Sequence, residues 1–310
     1  MTSAKECFRQ AGLLVFERGW LSSNNVLFAG DDSTESVLID SGYVTHSEQT
    51  VELVRQALRG RRLDRVINTH LHSDHCGGNH ALQAEYRCAV DVPAAEAAKV
   101  DAWDTARLTF EATGQSCPRF VRSGVVTPAT RLRLGSLDWD VIAAPGHDPH
   151  SIALHQPDLR ILISADALWE NGFGVVFPEL EGEHAFDLVE ACLEQFEALE
   201  VEWVIPGHGS PFTGVEDAIS RARRRLAAFQ VDPARHARHA AKVLVKFHML
   251  EISSCGIEAL RRWMMSTPYM VAIWERYFAD QPLRECCDEL VRELQTAEHI
   301  QIVSDIVIDS

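Results

Sequence analysis

The feature that most constrains this chain is a cluster of metal-binding residue types at positions 70–75, which read HLHSDH. The cluster directly follows a short apolar run that predicts a β-strand. Side chains two residues apart on an extended segment point the same way, so His70 and His72 are placed to bind one metal ion together. Asp74 and His75 lie where the chain turns, and they are placed to reach a second ion beside the first.

Three further polar residues stand at the ends of later predicted strands: His147, Asp166 and His208. Each follows an apolar run, and His147 and His208 come directly after a glycine, as is typical of a loop at the edge of a sheet. Imidazole nitrogens and carboxylate oxygens are ligands that zinc and neighbouring metals accept. The sequence therefore predicts that loops far apart along the chain converge on a metal centre.

The chain changes character near residue 230. Before that point, clusters of strand-like runs are followed by helical periodicity, as at residues 46–58 and 184–199. This order predicts an α/β domain in which two sheets pack face to face with helices outside. After that point the pattern is almost wholly helical. We therefore predict one domain at residues 1–230, which carries the metal-ligand motifs, and a helical C-terminal cap at residues 231–310.

Composition narrows the class of partner. Asp and Glu outnumber Lys and Arg by 45 to 29, and the net charge of -16 argues against nucleic acid, whose phosphates need clustered basic residues. No apolar stretch is long enough to span a bilayer, and the first residues lack the pattern of a secretory signal. Eight scattered cysteines without a CxxC pair predict reduced thiols and a cytoplasmic protein. The expected partner is a small-molecule substrate.

Over about residues 12–225, the motif set resembles the metallo-β-lactamase fold superfamily. The resemblance implies a four-layer αββα sandwich, here followed by a helical C-terminal appendage. It also implies two divalent metal ions. By this likeness, the first ion is held by His70, His72 and His147. The second ion is held by Asp74, His75 and His208, and Asp166 bridges the two ions. Asp40 would not contact a metal but would orient one of the ligands through a hydrogen bond.

Asp166 favours the glyoxalase II and lactonase branch of this superfamily, because true β-lactamases lack that acid. Residues 145–151 resemble the PGHTPGS signature of the branch but depart from it at Asp148 and His150. The resemblance implies a dinuclear hydrolase in which a metal-bridged hydroxide attacks an ester-type bond, with a thioester or lactone favoured. Asp74 is a candidate proton acceptor in that reaction.

Several alternatives stay open at this stage. The chain could instead be a small-molecule-binding regulatory protein that retains the metal centre, a phosphodiesterase or a mononuclear iron dioxygenase. Zinc is the metal that the ligand types favour, with iron or manganese as alternatives. The apolar faces of the C-terminal helices predict a hydrophobic core, with a substrate lid or a homodimer contact as alternatives. Candidate substrate-pocket residues near the motifs are Trp103, His150, Trp169, Asn171 and Phe173.

Overall fold

A six-stranded mixed sheet carries the first part of the histidine motif. The computed structural model describes residues 4–310. Numbered along the chain, the strands of this sheet are β1 (Leu13–Phe16), β2 (Asn25–Phe28), β3 (Val37–Ile39), β4 (Arg65–Ile67), β5 (Ala89–Pro93) and β6 (Gly124–Val126). They lie side by side in chain order. The pairs β1–β2 and β2–β3 are antiparallel, whereas β3 to β6 run parallel, so the carboxyl ends of β3 and β4 share one edge.

A second sheet of five strands carries the later candidate ligands. Its strands are β7 (Arg131–Leu134), β8 (Leu137–Ala143), β9 (Ile152–Gln156), β10 (Ile161–Ala165) and β11 (Trp203–Pro206), in the spatial order β11-β10-β9-β8-β7. Only β10 and β11 pair in parallel within this sheet. Because β8 and β10 are both antiparallel to β9, the strands β8, β10 and β11 all end at the same edge.

The two sheets share one hydrophobic core. Phe28 and Ile39 of the first sheet belong to the same buried cluster as Trp139 and Leu154 of the second. The rings of Phe28 and Trp139 meet edge to face, with their centroids 5.3 Å apart. Alternate residues of several strands contribute to this cluster, such as Val26 and Phe28 of β2, as expected for strands that bury one face. The sheets therefore pack face to face, as predicted.

Helices connect and follow these strands. They are α1 (Ala4–Gln10), α2 (Ser47–Leu58), α3 (Ser73–Cys76), α4 (Asn79–Tyr86), α5 (Ala97–Ala102), α6 (Phe110–Thr113), α7 (Phe177–Glu181), α8 (Phe186–Glu197), α9 (Val215–Val231), α10 (Pro233–Ile252), α11 (Ile257–Ser266), α12 (Pro268–Tyr277) and α13 (Leu283–Thr296). Between residues 4 and 310, no helix has both the length and the apolar character that crossing a bilayer requires.

The chain divides into two compact units. The first contains both large sheets and consists of the described residues up to Leu108 together with Cys117–Leu226. The second consists of Thr109–Ser116 and Ala227–Ser310. It contains α6, α10 to α13 and a three-stranded antiparallel sheet in the order β12-β14-β13, made of β12 (Ser254–Gly256), β13 (Ile300–Val303) and β14 (Ile306–Asp309). Its core includes Met249, Met264 and Leu294, which are buried as expected for apolar residues at helical spacing.

Candidate metal centre

The candidate ligands lie in loops at strand ends of the first unit. His70 follows β4, His147 follows β8, Asp166 comes directly after β10, and His208 follows β11. Because β8, β10 and β11 end at one edge of their sheet, three loops from that sheet meet the motif loop of the other. The seven predicted ligand side chains form two groups whose ligand atoms lie within 4.8 Å of one another in each group.

The first group is formed by three imidazoles. Nδ1 of His72 lies 3.1 Å from Nε2 of His70 and 2.7 Å from Nε2 of His147. A neutral imidazole has a single N–H, so three ring nitrogens facing one point cannot all be satisfied by hydrogen bonds with one another. A tetrahedral zinc ion bound at its usual distance would hold such nitrogens about 3.3 Å apart. The arrangement therefore fits one metal ion.

Hydrogen-bond partners on the far ring nitrogens orient the imidazoles of His70 and His147. Nδ1 of His147 lies 2.5 Å from the carbonyl oxygen of Val175, to which it donates, so that Nε2 is the free acceptor facing the cluster. Nδ1 of His70 lies 3.2 Å from Oγ1 of Thr69. A partner on the far nitrogen fixes the tautomer and the direction of a metal-binding histidine.

The second group combines two histidines with two carboxylates. Nε2 of His208 lies 3.0 Å from Oδ2 of Asp74. Nε2 of His75 is fully buried and has no hydrogen-bond partner among the described residues, and the oxygens nearest to it are 3.5 Å away on Asp166 and 3.9 Å away on Asp74. An unsatisfied buried nitrogen costs roughly 1–3 kcal/mol. A cation placed between these groups would remove that cost, so this group also fits a metal ion.

One oxygen of Asp166 lies between the two groups. Its Oδ2 is 3.4 Å from Nε2 of His147, in the first group, and 3.8 Å from Nε2 of His208, in the second. The other oxygen, Oδ1, accepts a hydrogen bond of 3.2 Å from Nε1 of Trp169. This bond leaves Oδ2 to face both groups.

Buried charge makes the site strongly electronegative. Burial lowers the pKa of His75, but the carboxylates of Asp166, Asp40 and Asp74 together raise it well above its usual value. Burial opposes ionisation of Asp166, yet the charges of His75 and His208 hold its pKa well below the usual range. The carboxylates of Asp40 and Asp166 are buried and that of Asp74 is partly buried around His75, and a divalent cation would balance the negative charge that they gather.

Asp40 lies behind the second group. It follows β3 in a left-handed conformation, with φ of 57°, which aspartate tolerates better than most residues. Oδ1 accepts a hydrogen bond of 2.8 Å from the backbone N–H of Thr69, and Oδ2 accepts one of 2.7 Å from its hydroxyl. Oδ2 also lies 2.8 Å from Nδ1 of His75. Asp40 thus turns Nε2 of His75 towards Asp166.

Replacing Asp40 with asparagine is expected to weaken metal binding by roughly 10–100-fold, the usual cost of losing a group that orients a ligand. Asparagine keeps the size and tolerates the left-handed backbone, but it has one acceptor oxygen instead of two. Either the backbone N–H of Thr69 or the pair formed by the Thr69 hydroxyl and His75 then loses its acceptor. Zinc titration against a chromophoric chelator measures the effect, with the exposed Asp32→Asn as control. Unchanged affinity in the Asp40 variant would contradict this role.

The first group gives the metal-free chain a pH-dependent stability. Burial is the main cause that lowers the pKa of both His72 and His147 to about 4. Between pH 6.5 and 4 the unfolded chain therefore binds protons that the folded chain does not, and the free energy of unfolding falls as the pH falls. We expect a loss of about 2 kcal/mol per histidine between pH 7 and pH 5. Urea unfolding of chelator-treated protein at pH 7 and pH 5 measures this change in the free energy of unfolding. The loss should be smaller in His147→Leu. A free energy of unfolding that stays constant or rises on acidification would contradict the prediction.

Aromatic rings line the two sides of the centre. The ring of Trp20 stacks on His208, with centroids 5.4 Å apart, and Trp20 is 58% exposed. Trp169, a predicted pocket residue, packs edge-on against both of these rings. On the other side, Phe177 contacts the rings of His72 and His147. The sequence did not single out Trp20 or Phe177, because neither lies near a ligand motif along the chain.

The remaining predicted pocket residues lie in different surroundings. His150 is held beside the first group, since its Nδ1 is 2.6 Å from Glu96 and the neighbouring Asp148 lies 4.0 Å from Nε2 of His72. Their contacts with a substrate stay a prediction. The structure places the other three as follows: Trp103 packs against Phe120, Phe173 is buried beneath Arg225, and Asn171 is exposed.

The geometry agrees with the family assignment from sequence comparison. The family model described as the metallo-beta-lactamase superfamily matches residues 18–208, a range that contains all seven candidate ligands. This chain belongs to the metallo-β-lactamase superfamily, and the predicted fold class is confirmed.

Individual relatives extend this result. The chain is 30% identical to a hydroxyacylglutathione hydrolase of Brucella anthropi over 179 residues, which are 58% of this chain and 56% of that protein. A hydroxyacylglutathione hydrolase of Brucella ovis is 29% identical over 175 residues, 56% of this chain and 55% of that protein. The match thus spans little more than half the length of these curated relatives.

A solved structure resembles almost the whole chain. A metallo-beta-lactamase family protein from Thermus thermophilus superimposes with a TM-score of 0.55, covering 97% of this chain and 99% of that one. Its sequence identity is 16%, so this likeness concerns the fold.

Proposed function

We infer that this protein is a dinuclear metal-dependent hydrolase of ester-type bonds, with a thioester or lactone as its substrate. The observation that carries the proposal is the position of Oδ2 of Asp166, 3.4 Å from Nε2 of His147 and 3.5 Å from Nε2 of His75. An oxygen between two ligand groups suits a carboxylate that contacts two ions at once. Paired ions bound there would acidify a water molecule and polarise a carbonyl, which is the chemistry that ester hydrolysis needs.

The charge of Asp74 and the ring of Trp20 also support this function. Burial raises the pKa of Asp74, but the charge of His75 and the hydrogen bond from His208 outweigh it and lower the pKa overall. Asp74 therefore stays ionised, as a ligand and as a candidate proton acceptor. The exposed ring of Trp20 offers an apolar wall beside His208, which suits an acyl substituent of a small-molecule substrate.

The substrate class draws support from the relatives. The name hydroxyacylglutathione hydrolase denotes an enzyme that cleaves a thioester of glutathione, and the Brucella anthropi protein of that name is 30% identical to this chain over 179 residues. Zinc is the proposed metal because imidazole and carboxylate ligands suit it, and iron and manganese accept the same ligands.

A substrate panel tests the proposal. The full chain is loaded with zinc, iron or manganese and assayed on a hydroxyacylglutathione thioester, an acyl lactone and a phosphodiester. We expect turnover of the thioester or the lactone, lost in His72→Ala but kept in His80→Ala, a matched change at an exposed histidine whose ring bonds to the backbone of Arg119 instead.

Other outcomes would replace the proposal with a named alternative. Tight small-molecule binding without turnover of any substrate would favour a regulatory protein. Cleavage of the phosphodiester alone would favour a phosphodiesterase, and oxygen consumption with one iron per chain would favour a dioxygenase. Equal turnover by the wild-type chain and His72→Ala would exclude this centre as the source of the activity.

A further inference from the structure

Two thiols lie side by side at the end of the metal-ligand motif. Cys76 directly follows His75, and its Sγ lies 3.7 Å from Sγ of Cys117, 41 residues further along the chain. Both residues belong to the first unit. Cys76 is fully buried, whereas Cys117 is partly exposed. A buried and an accessible thiol in contact form a pair that a small oxidant can reach from one side.

The side of the pair that carries the metal ligands is held rigidly. The carbonyl oxygen of His75 accepts hydrogen bonds from the backbone N–H of Ser41 at 2.8 Å and from Nδ2 of Asn68 at 3.0 Å. After Cys76 the chain packs so closely that a Cβ on Gly77 would lie 2.6 Å from the backbone of Ser73 and of Val44. Cys76 therefore has little freedom to move.

The other side of the pair is less constrained. Cys117 lies within residues 115–123, which form neither helix nor strand. Its Sγ makes only long contacts, at 3.7 Å with the carbonyl oxygen of Pro118 and at 3.9 Å with that of Cys76. A disulfide requires the sulfurs to approach by about 1.7 Å. Rotation of the Cys117 side chain and adjustment of its loop can supply most of that movement.

We propose that Cys76 and Cys117 are a modification site, a dithiol that a hydroperoxide oxidises to a disulfide and that thereby weakens metal binding by the adjacent motif. The sulfur of Cys117 attacks one peroxide oxygen, the O–O bond breaks, and a sulfenic acid forms. The other oxygen leaves with the Cys117 proton, as an alcohol or, when the oxidant is hydrogen peroxide, as water. The sulfur of Cys76 then displaces the hydroxyl group, which leaves as water with the Cys76 proton. With hydrogen peroxide, two thiols are oxidised and one peroxide is reduced to two waters.

The coupling to metal binding rests on the proposed dinuclear centre. The single S–H of Cys76 is shared between the carbonyl oxygens of His72, at 3.3 Å, and Leu71, at 3.5 Å, as a weak hydrogen bond. A disulfide has no S–H, so oxidation removes this bond and draws the sulfur towards Cys117. The carbonyl oxygen of His72 still accepts backbone hydrogen bonds from His75, at 2.9 Å, and Cys76, at 3.2 Å, so a displacement of Cys76 is transmitted to the turn that carries His72. We therefore expect a fall of roughly 10–100-fold in zinc affinity.

Peptide mapping of the full chain tests the dithiol. Reduced protein is treated with hydrogen peroxide, alkylated and digested with trypsin without reductant. Cys76 and Cys117 fall in tryptic peptides 66–87 and 108–119, each of which contains a single cysteine. We expect these two peptides to be cross-linked and the intact chain to be about 2 Da lighter. The link should be absent in Cys117→Ser and present in Cys255→Ser, a change at another partly exposed thiol.

Zinc titration of the same samples tests the coupling. Oxidised wild-type protein should bind zinc more weakly than reduced protein, and a thiol reductant should restore the affinity, whereas Cys117→Ser should show no change on oxidation. Oxidation of Cys117 to a sulfinic acid, a link to another cysteine, or a disulfide with unchanged zinc affinity would overturn the proposal. A reduced chain that binds no zinc would instead remove the proposed centre, while the peptide map would still report on the disulfide.

Discussion

Replacing Asp166 with asparagine is expected to lower kcat/KM for the hydrolysed ester by more than about 100-fold, because losing a group that merely orients a ligand already costs roughly 10–100-fold. Oδ2 of Asp166 faces His147, His75 and His208 at 3.4–3.8 Å, so it is the side chain that joins the two ligand groups. Asparagine fills the same space without the negative charge. Kinetics and metal content of the variant measure the effect together.

The control for this change is Asp158→Asn, at an exposed turn residue of the same unit. It removes the same charge from the chain and should leave kcat/KM and metal content unchanged. If Asp166→Asn keeps wild-type activity and still binds two ions per chain, Asp166 does not bridge them. The position of its Oδ2 would then no longer support the proposed function.

Replacing Gly207 with alanine is expected to damage the centre without removing any ligand. A Cβ at this position would lie 2.0 Å from Oδ1 of Asp166 and 3.1 Å from the His75 ring, so the carboxylate must move. Overpacking of this kind costs roughly 1–3 kcal/mol of folding free energy. Displacing Asp166 also breaks its bond to Trp169, and we expect zinc affinity to fall by at least about 10-fold.

Gly19→Ala is the matched control for this prediction. Nothing lies within 4 Å of a Cβ built at Gly19, and its backbone is not left-handed. The control should therefore keep both the denaturation midpoint and the zinc affinity. If Gly207→Ala has the same denaturation midpoint and the same zinc affinity as Gly19→Ala, the carboxylate of Asp166 is not held in the position described above.

The positions of the candidate ligands could be predicted because their signals are local. A polar residue within a few positions of the end of an apolar strand marks the edge of a sheet, and His70, His147, Asp166 and His208 all carry that mark. The parallel pairing of β10 and β11, which brings Asp166 and His208 together, depends on contacts between distant segments. The spacing within residues 70–75 predicted two ions, but only the family resemblance assigned His147, Asp166 and His208 to them.

The walls of the site could not be predicted in this way. Trp20 and Phe177 reach the centre through loops, and nothing in the residues around them distinguishes them from core aromatics. Phe173, by contrast, lies close to Asp166 along the chain but points into the interior, where Arg225 covers its ring. Nearness to Asp166 in the sequence therefore correctly indicated that Trp169 lies beside the metal centre, but it was a poor guide to the position of Phe173.

The structure of the second unit could also be predicted only in part from local sequence signals. The breaks between its helices fall at Pro268, Pro282 and the glycine at 256, which are local signals because proline and glycine act on the backbone locally. The short strand Ser254–Gly256, which pairs with β14, has no alternating pattern that would predict it. Residues 109–116 join this unit from far away in the sequence, and no local signal indicates such a connection.

The central claim is that seven side chains bind a pair of cations. The most direct test is elemental analysis of the full chain after zinc loading and gel filtration, alongside Asp166→Asn and His72→Ala. We predict about two zinc ions per wild-type chain and about one or fewer in each variant. A wild-type chain that retains one ion or none, or variants that retain as much metal as the wild type, would contradict the account.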